Sequence, residues 1–456
     1  MCVMNAPQRL ASAVYALLLA LTPGLADEWT PQRYKAVFPG DGESGPYVSG
    51  RSFDLVDYPH LDGQWKGLLH AGDGNVYFSV GSHASEHHAE IFRYLGGEGR
   101  IEHLADLGDV VEATEPPGAP QDKVHTAMFE YNGWIYAATC DGPRHDGLEY
   151  HGGHWIAIDM KTGDVRDLGR TETGDGIITA GFDSIRGILY GHTNRLGRLL
   201  RFDPESSEEE DLGFPWEGVG RQYARGMSLM VAPDGRVFGG RPPGATFWEW
   251  SPATGKIRVL DASMPEPAEI AAEDADDRTR RYYAQSAIHV TRWNEDGGYF
   301  YFVRSFDEML GRFYPGGGDT EPRAEALGRL RPPHLGYRYA DRHAACTLAV
   351  HGNRVYYTPY TGWGGVTHLV RFDLDEGRLT DLGPLILEDG RRVAEVHAMD
   401  IDEAGRLYML AFAYNMKGED PLNRHATRDG YAFHPRFVVV DPETALRRVP
   451  REASGQ

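Results

Sequence analysis

Short apolar runs rich in Val, Ile, Leu, Tyr and Phe, set apart by polar turns, fill this chain, and seven of those turns share one form. Each sets a glycine within three residues of an apolar run that carries an aromatic. They are Asp73-Gly74-Asn75-Val76-Tyr77, Asn132-Gly133-Trp134-Ile135-Tyr136, Arg186-Gly187-Ile188-Leu189-Tyr190, Asp234-Gly235-Arg236-Val237-Phe238, Asp296-Gly297-Gly298-Tyr299-Phe300, Gly352-Asn353-Arg354-Val355-Tyr356 and Ala404-Gly405-Arg406-Leu407-Tyr408. Turns of the Asp-Gly and Asn-Gly type join antiparallel strands, because the left-handed backbone they allow matches the twist of a hairpin. Their return at intervals of roughly 50 to 60 residues marks a repeat architecture.

Each turn stands inside a four-strand unit. In the second unit, residues 125–131 precede the turn and 134–139 follow it; then come a loop over 140–153, a third run over 154–159, a Lys161-Thr162-Gly163 turn and an edge run over 165–168. The edge run closes in Asp-Leu-Gly at Asp106, Asp167, Asp211 and Asp381. Short strands at even spacing, with both faces apolar, predict an all-β, seven-bladed β-propeller of four-stranded antiparallel blades over 66–456. Four strands are found for every blade without borrowing from the N-terminus, so residues 27–65 are expected to be an extension that covers one end or lies along the first blade, a closing strand taken from them being allowed but not required. The aromatic after each turn is expected between blades.

Such blades sort the loops by face. The first connections are tight and leave little room for a ligand, whereas the second connections and the approaches to each first strand are long and lie on the opposite face. Most of the 19 histidines fall there, on loops of the kind that carry function. His125 and His145 belong to one blade and can meet; Tyr223 and Arg241 form a second such pair, with Arg221 and Arg225 beside them. Tyr150, His154, Arg195, His289, His343, Trp363 and His397 lie on the same rim as substrate contacts. His289, His343 and His397 can equally be channel-lining groups that bind one another and water, and His83, His87 and His88 read either as a metal cluster or as a solvated loop.

Two histidines, a tyrosine and focused arginines suit proton removal next to a carboxylate. The proton is barely acidic while the carboxylate is charged, so a cation must take up that charge and a base must sit at the proton. No Gly-x-Ser-x-Gly elbow suggests a nucleophile.

Composition bounds the partners. A formal net charge of −21 argues against nucleic acid. Arg9, the apolar stretch Leu10 to Leu21 and Gly24-Leu25-Ala26 read as a signal peptide over 1–26. The chain is therefore expected to be secreted or periplasmic, with no membrane contact after cleavage and as a monomer. Cys140 and Cys346 fall in separate repeats and are expected to be unbridged small thiols.

With Lys123-Val124-His125-Thr126, Tyr150-His151-Gly152-Gly153-His154-Trp155 and the separation of His125, His145, Tyr223 and Arg241, the chain resembles the seven-bladed β-propeller polysaccharide lyases of the ulvan lyase type. The resemblance implies β-elimination on an anionic, uronic-acid-containing, sulfated polysaccharide, with His125, His145, Tyr223 and Arg241 as catalytic residues. His154 competes with His145, and Arg221 or Arg225 with Arg241. It implies no cofactor for the chemistry but a structural calcium or zinc ion. Two other functions fit the same scaffold: a non-catalytic carbohydrate-binding propeller, and a metal-dependent propeller hydrolase or lactonase.

Overall fold

All seven turn glycines hold the left-handed backbone their positions require. The φ angles run from 57° at Gly352 to 86° at Gly235, with Gly74, Gly133, Gly187, Gly298 and Gly405 between them. The aromatics that follow, Tyr77, Tyr136, Tyr190, Phe238, Phe300, Tyr356 and Tyr408, are at most 8% exposed. Each such burial contributes roughly 2 kcal/mol.

This computed structural model describes residues 46–83, 87–111, 119–140, 149–215, 228–241, 246–272, 275–284, 287–335, 347–361, 364–419, 427–428 and 430–448. They all belong to the unit Tyr34–Gln456. The expected signal peptide lies outside them.

Five four-stranded antiparallel sheets form in chain order. Blade 1 is Gly63–His70, Val76–Gly81, Glu90–Leu95 and Arg100–Asp106; blade 2 is Phe129–Tyr131, Trp134–Ala138, His154–Asp159 and Val165–Arg170. Blade 3 is Ile177–Asp183, Ile188–Thr193, Leu199–Asp203 and Glu208–Gly213. Blade 4 is Leu229–Val231, Val237–Arg241, Thr246–Ser251 and Lys256–Ser263, and blade 5 is Ile288–Asn294, Tyr299–Arg304, Met309–Tyr314 and Arg323–Arg329.

The remaining strands correct the expectation of seven blades. They form one continuous ten-stranded sheet. Its path runs Ala349–His351, Arg354–Tyr357, His368–Asp373, Arg378–Leu387, Pro46–Phe53, Tyr431–Val440, Leu407–Tyr414 and Val393–Ile401, with Thr427–Arg428 and Leu446–Arg448 at its side. The joint is Pro46–Phe53, drawn from the stretch expected to be an extension. Its first half runs parallel to Arg378–Leu387, with Val48 beside Leu385, and its second half antiparallel to Tyr431–Val440, with Arg51 beside Val439. Gly50 sits where a Cβ would lie 2.8 Å from Val438 Cγ1, so a larger residue there must displace the Val438 side chain.

Neighbouring sheets meet through stacked aromatics. Phe78 of blade 1 lies 4.8 Å from Phe437 of the ten-stranded sheet, Trp155 4.9 Å from Phe202, and Phe247 4.5 Å from Phe313. Among the described residues, no helix is long and apolar enough to cross a membrane.

The Asp-Leu-Gly motif makes a bulge. In each case the aspartate accepts the glycine N–H two residues on, at 2.6 Å for Gly108, 2.9 Å for Gly169 and Gly213, and 2.8 Å for Gly383. The ladder slips one residue opposite it, as between Trp155 and Ile156. The carboxylate then pairs with a base at the start of the third strand: His154 with Asp167 at 2.9 Å, Arg198 with Asp211 at 2.7 Å, His368 with Asp381 at 2.9 Å. Extra residues of this kind bend and twist an edge strand.

Candidate functional site at the long-loop mouth of the channel

The first strands of blades 1 to 5 and strand Val393–Ile401 of the ten-stranded sheet line a channel whose cavity measures about 390 Å³. Lys66, Thr179, Ser228 and His289 line one end, and Asp183, Ile185, Trp293 and Asp400 the other. The Lys66 ammonium donates to the His289 carbonyl at 2.8 Å, joining blades 1 and 5 across the channel. Toward the hairpin end, Arg292 donates to the Met399 carbonyl at 2.9 Å and its guanidinium stands 4.0 Å from Asp400. The hairpin face, expected to offer little room, thus also borders the cavity.

At the long-loop end Trp65 is the centre of a cluster. Gly63 and Gly81 make room for its indole: a Cβ at Gly63 would lie 2.2 Å from the ring, and one at Gly81 2.8 Å from it. The Lys123 ammonium lies 4.8 Å from the ring centroid, a cation over a π face. His83 and His125 lie 5.4 and 6.4 Å from it. Asp62, buried at 1% exposure, accepts from the His83 backbone N–H at 2.7 Å and from its ring Nδ1 at 3.2 Å. His125 Nδ1 bonds the Ile178 carbonyl of blade 3 at 2.8 Å. A carbonyl can only accept, so Nδ1 carries the proton and, in the neutral ring, Nε2 carries the lone pair.

The cluster continues into blade 3. Buried Gln121 accepts from Thr139 Oγ1 at 2.7 Å and from the Tyr150 hydroxyl at 3.3 Å, while its amide nitrogen donates to the Gly152 carbonyl at 3.0 Å. The Arg195 guanidinium stands 5.5 Å from the Tyr150 ring centroid, and its backbone N–H donates to Asp175 at 2.7 Å. Cys140 lies beneath, bridged to Lys123 through the backbone at 2.9 Å. Burial pushes its thiol up to about 12, with Lys123 pulling the other way, so it is no nucleophile.

The structure brings only some of the predicted residues together. His125, Tyr150 and Arg195 come together on blades 2 and 3. Arg241 ends the second strand of blade 4, with its Nε buried and lacking a hydrogen-bond partner among the described residues. His289 lines the channel; His397, half-buried, pairs with Glu395 at 2.9 Å and turns its ring edge to Phe412. His154 is spent on the bulge, its side chain 1% exposed, which leaves no surface for a substrate. His145, Tyr223, Arg221, Arg225, His343 and Trp363 lie outside the described residues. Sequence reasoning passed over Trp65 and Lys66, although Gly63-Gln64-Trp65-Lys66-Gly67, an aromatic and a lysine bracketed by glycines on a first strand, was a readable signal.

No protein-family model matches the chain, and no curated protein matches it in sequence. Its likeness is to solved structures. A streptogramin B lyase matches with a TM-score of 0.51 at 14% identity over 86% of this chain and 97% of that one. A catalytically inactive histidine-to-alanine variant of virginiamycin B lyase from Staphylococcus aureus, with quinupristin, matches with a TM-score of 0.50 at 10% identity over 86% and 99%. The WD40 repeats of RRP9 match with a TM-score of 0.52 at 12% identity over 89% and 100%. At such identities the likeness shows the β-propeller fold alone. It lends no support to the expected ulvan lyase type.

Proposed function

We propose that this chain is a carbon–oxygen lyase that acts at the long-loop mouth, removing a proton beside a carboxylate and expelling an oxygen leaving group. The observation that carries the reading is the His125 ring, fixed by the Ile178 carbonyl so that Nε2 is its basic nitrogen. In the step, the C–H bond breaks as the proton passes to Nε2, a C=C bond forms, and the C–O bond breaks. Charge that moves onto the carboxyl group meets the Lys123 ammonium, and the leaving oxygen takes a proton from a hydroxyl or imidazolium such as Tyr150 or His83. The indole of Trp65 offers a flat apolar face of the kind on which sugar rings rest.

A propeller lyase that loses activity when one histidine becomes alanine stands among the structural neighbours and supports the reading by analogy. On it, the substrate is a uronate-containing polysaccharide, and the chain is exported and works as a monomer. The formal charge of −21 makes Lys66, Lys123 and Arg195 the local attraction for an anion. The test is a panel of uronate polysaccharides followed by ultraviolet absorbance from the new double bond. The wild-type chain should produce that rise, and His125→Ala should lower kcat at least about 100-fold. No rise from folded protein on any member of the panel defeats the reading. Undiminished substrate binding with no turnover by either form would make the chain a carbohydrate-binding propeller instead.

A further inference from the structure

On strand Arg378–Leu387 of the ten-stranded sheet one bulge aspartate has more than its cross-strand partner. Asp381 Oδ2 receives His368 Nδ1 at 2.9 Å, as the repeat requires, and also His334 Nε2 at 2.9 Å from the 3-10 turn Pro333–Leu335, outside the sheet. The three ligand atoms lie within 4.8 Å of one another, and among the described residues this is the only group of three such donors. We propose that His334, His368 and Asp381 bind a divalent transition-metal ion, zinc above all, which fastens the connection between blade 5 and the ten-stranded sheet to strands His368–Asp373 and Arg378–Leu387.

The donor set is right for zinc. Two imidazoles and one carboxylate are ligands it takes in tetrahedral sites with one position left for water, and mixed nitrogen and oxygen donors disfavour calcium and magnesium. Metal–ligand bonds near 2.0 to 2.1 Å place tetrahedral donors about 3.3 Å apart. The two histidine–aspartate separations are already close to that, so only the two rings need draw together. The surroundings fix the ligands unequally. Asp381 is held by the Gly383 N–H at 2.8 Å and His368 is anchored at the start of a strand. The His334 side chain, 61% exposed, opens the fourth position to solvent. Its neighbour Arg331 reaches the Glu308 carboxylate at 2.5 Å and the Tyr360 carbonyl, which steadies the connection that presents His334.

The site is independent of the channel, so its test does not depend on activity. The full chain is stripped with a chelator, and zinc chloride is titrated against a chromophoric zinc indicator. Wild-type protein should take up one equivalent that His334→Ala and Asp381→Asn lack, and zinc should raise the melting temperature of the wild type only. Asparagine can still accept the Gly383 N–H, and circular dichroism verifies that both variants fold. If Asp381→Asn does not fold, His334→Ala carries the test alone, since its side chain is exposed. Failure of the wild type to bind zinc at micromolar concentration overturns the proposal, and so does retention of that equivalent by either folded variant.

Discussion

Burial decides which polar side chains of this protein can react. Cys140 touches the same cluster as His125, yet its thiol is pushed up to about 12 by desolvation. At pH 8 the folded protein should leave Cys140 unmodified by iodoacetamide over hours, and peptide mass spectrometry should find it alkylated only after denaturation. His154 makes the complementary case. Replacing it with alanine empties a buried site and strands the Asp167 carboxylate, so the variant should lose roughly 3 kcal/mol by chemical denaturation. The turnover of its folded fraction should be unchanged. Two other histidines are forced neutral: desolvation lowers His192 to about 3, and desolvation with Arg436 and Arg391 nearby lowers His434 to about 4. The unfolded chain binds protons at these positions below about pH 6.5, while the folded one does not, so folding is fully favoured above 6.5 and weakens as pH falls. At about 1.4 kcal/mol per unit for each group, denaturation at pH 5 should show roughly 4 kcal/mol less stability than at pH 7. That loss begins before the ordinary carboxylate range.

At the scale of the element, what could be read from the sequence is what a few adjacent residues determine. A glycine in a hairpin reports its own φ, so the turns at Gly74, Gly133 and the rest were legible one by one. Asp-Leu-Gly was visible as a repeat, but its meaning was not, because the bulge involves a base thirteen positions earlier, as from His154 to Asp167 or His368 to Asp381. That is why His154 read as a substrate contact. Trp65 was missed for a related reason: its importance comes from Lys123, His83 and His125, which only the folded sheets bring to it. The bulge also yields a clean test. Gly169 has φ of 128° and nothing within 4 Å of where a Cβ would stand, so Gly169→Ala meets no clash. Its cost should be backbone strain alone, about 1 to 3 kcal/mol, read from the denaturation midpoint.

The whole molecule is held together by a pairing that no local pattern announces. Val48 meets Leu385, 337 positions later, and the repeat had four strands for every unit without it. Enlarging Gly50, where a Cβ would already lie 2.8 Å from Val438, should therefore lower the melting temperature of the entire chain rather than loosen one end. Gly50→Val tests this by a single calorimetric transition, shifted down by several degrees. Separate early melting would show that the strand is dispensable.

That strand also sets a clock. Pro46–Phe53 leaves the ribosome more than 320 residues ahead of Arg378–Leu387 and Tyr431–Val440, which must flank it. At about 5 to 20 residues per second, its backbone donors and acceptors wait roughly 20 to 70 s for their partners. For that interval the nascent chain carries an open β edge able to pair with a stranger. Slower translation, or a stall before residue 378, should leave more of the product aggregated, whatever the finished protein's stability.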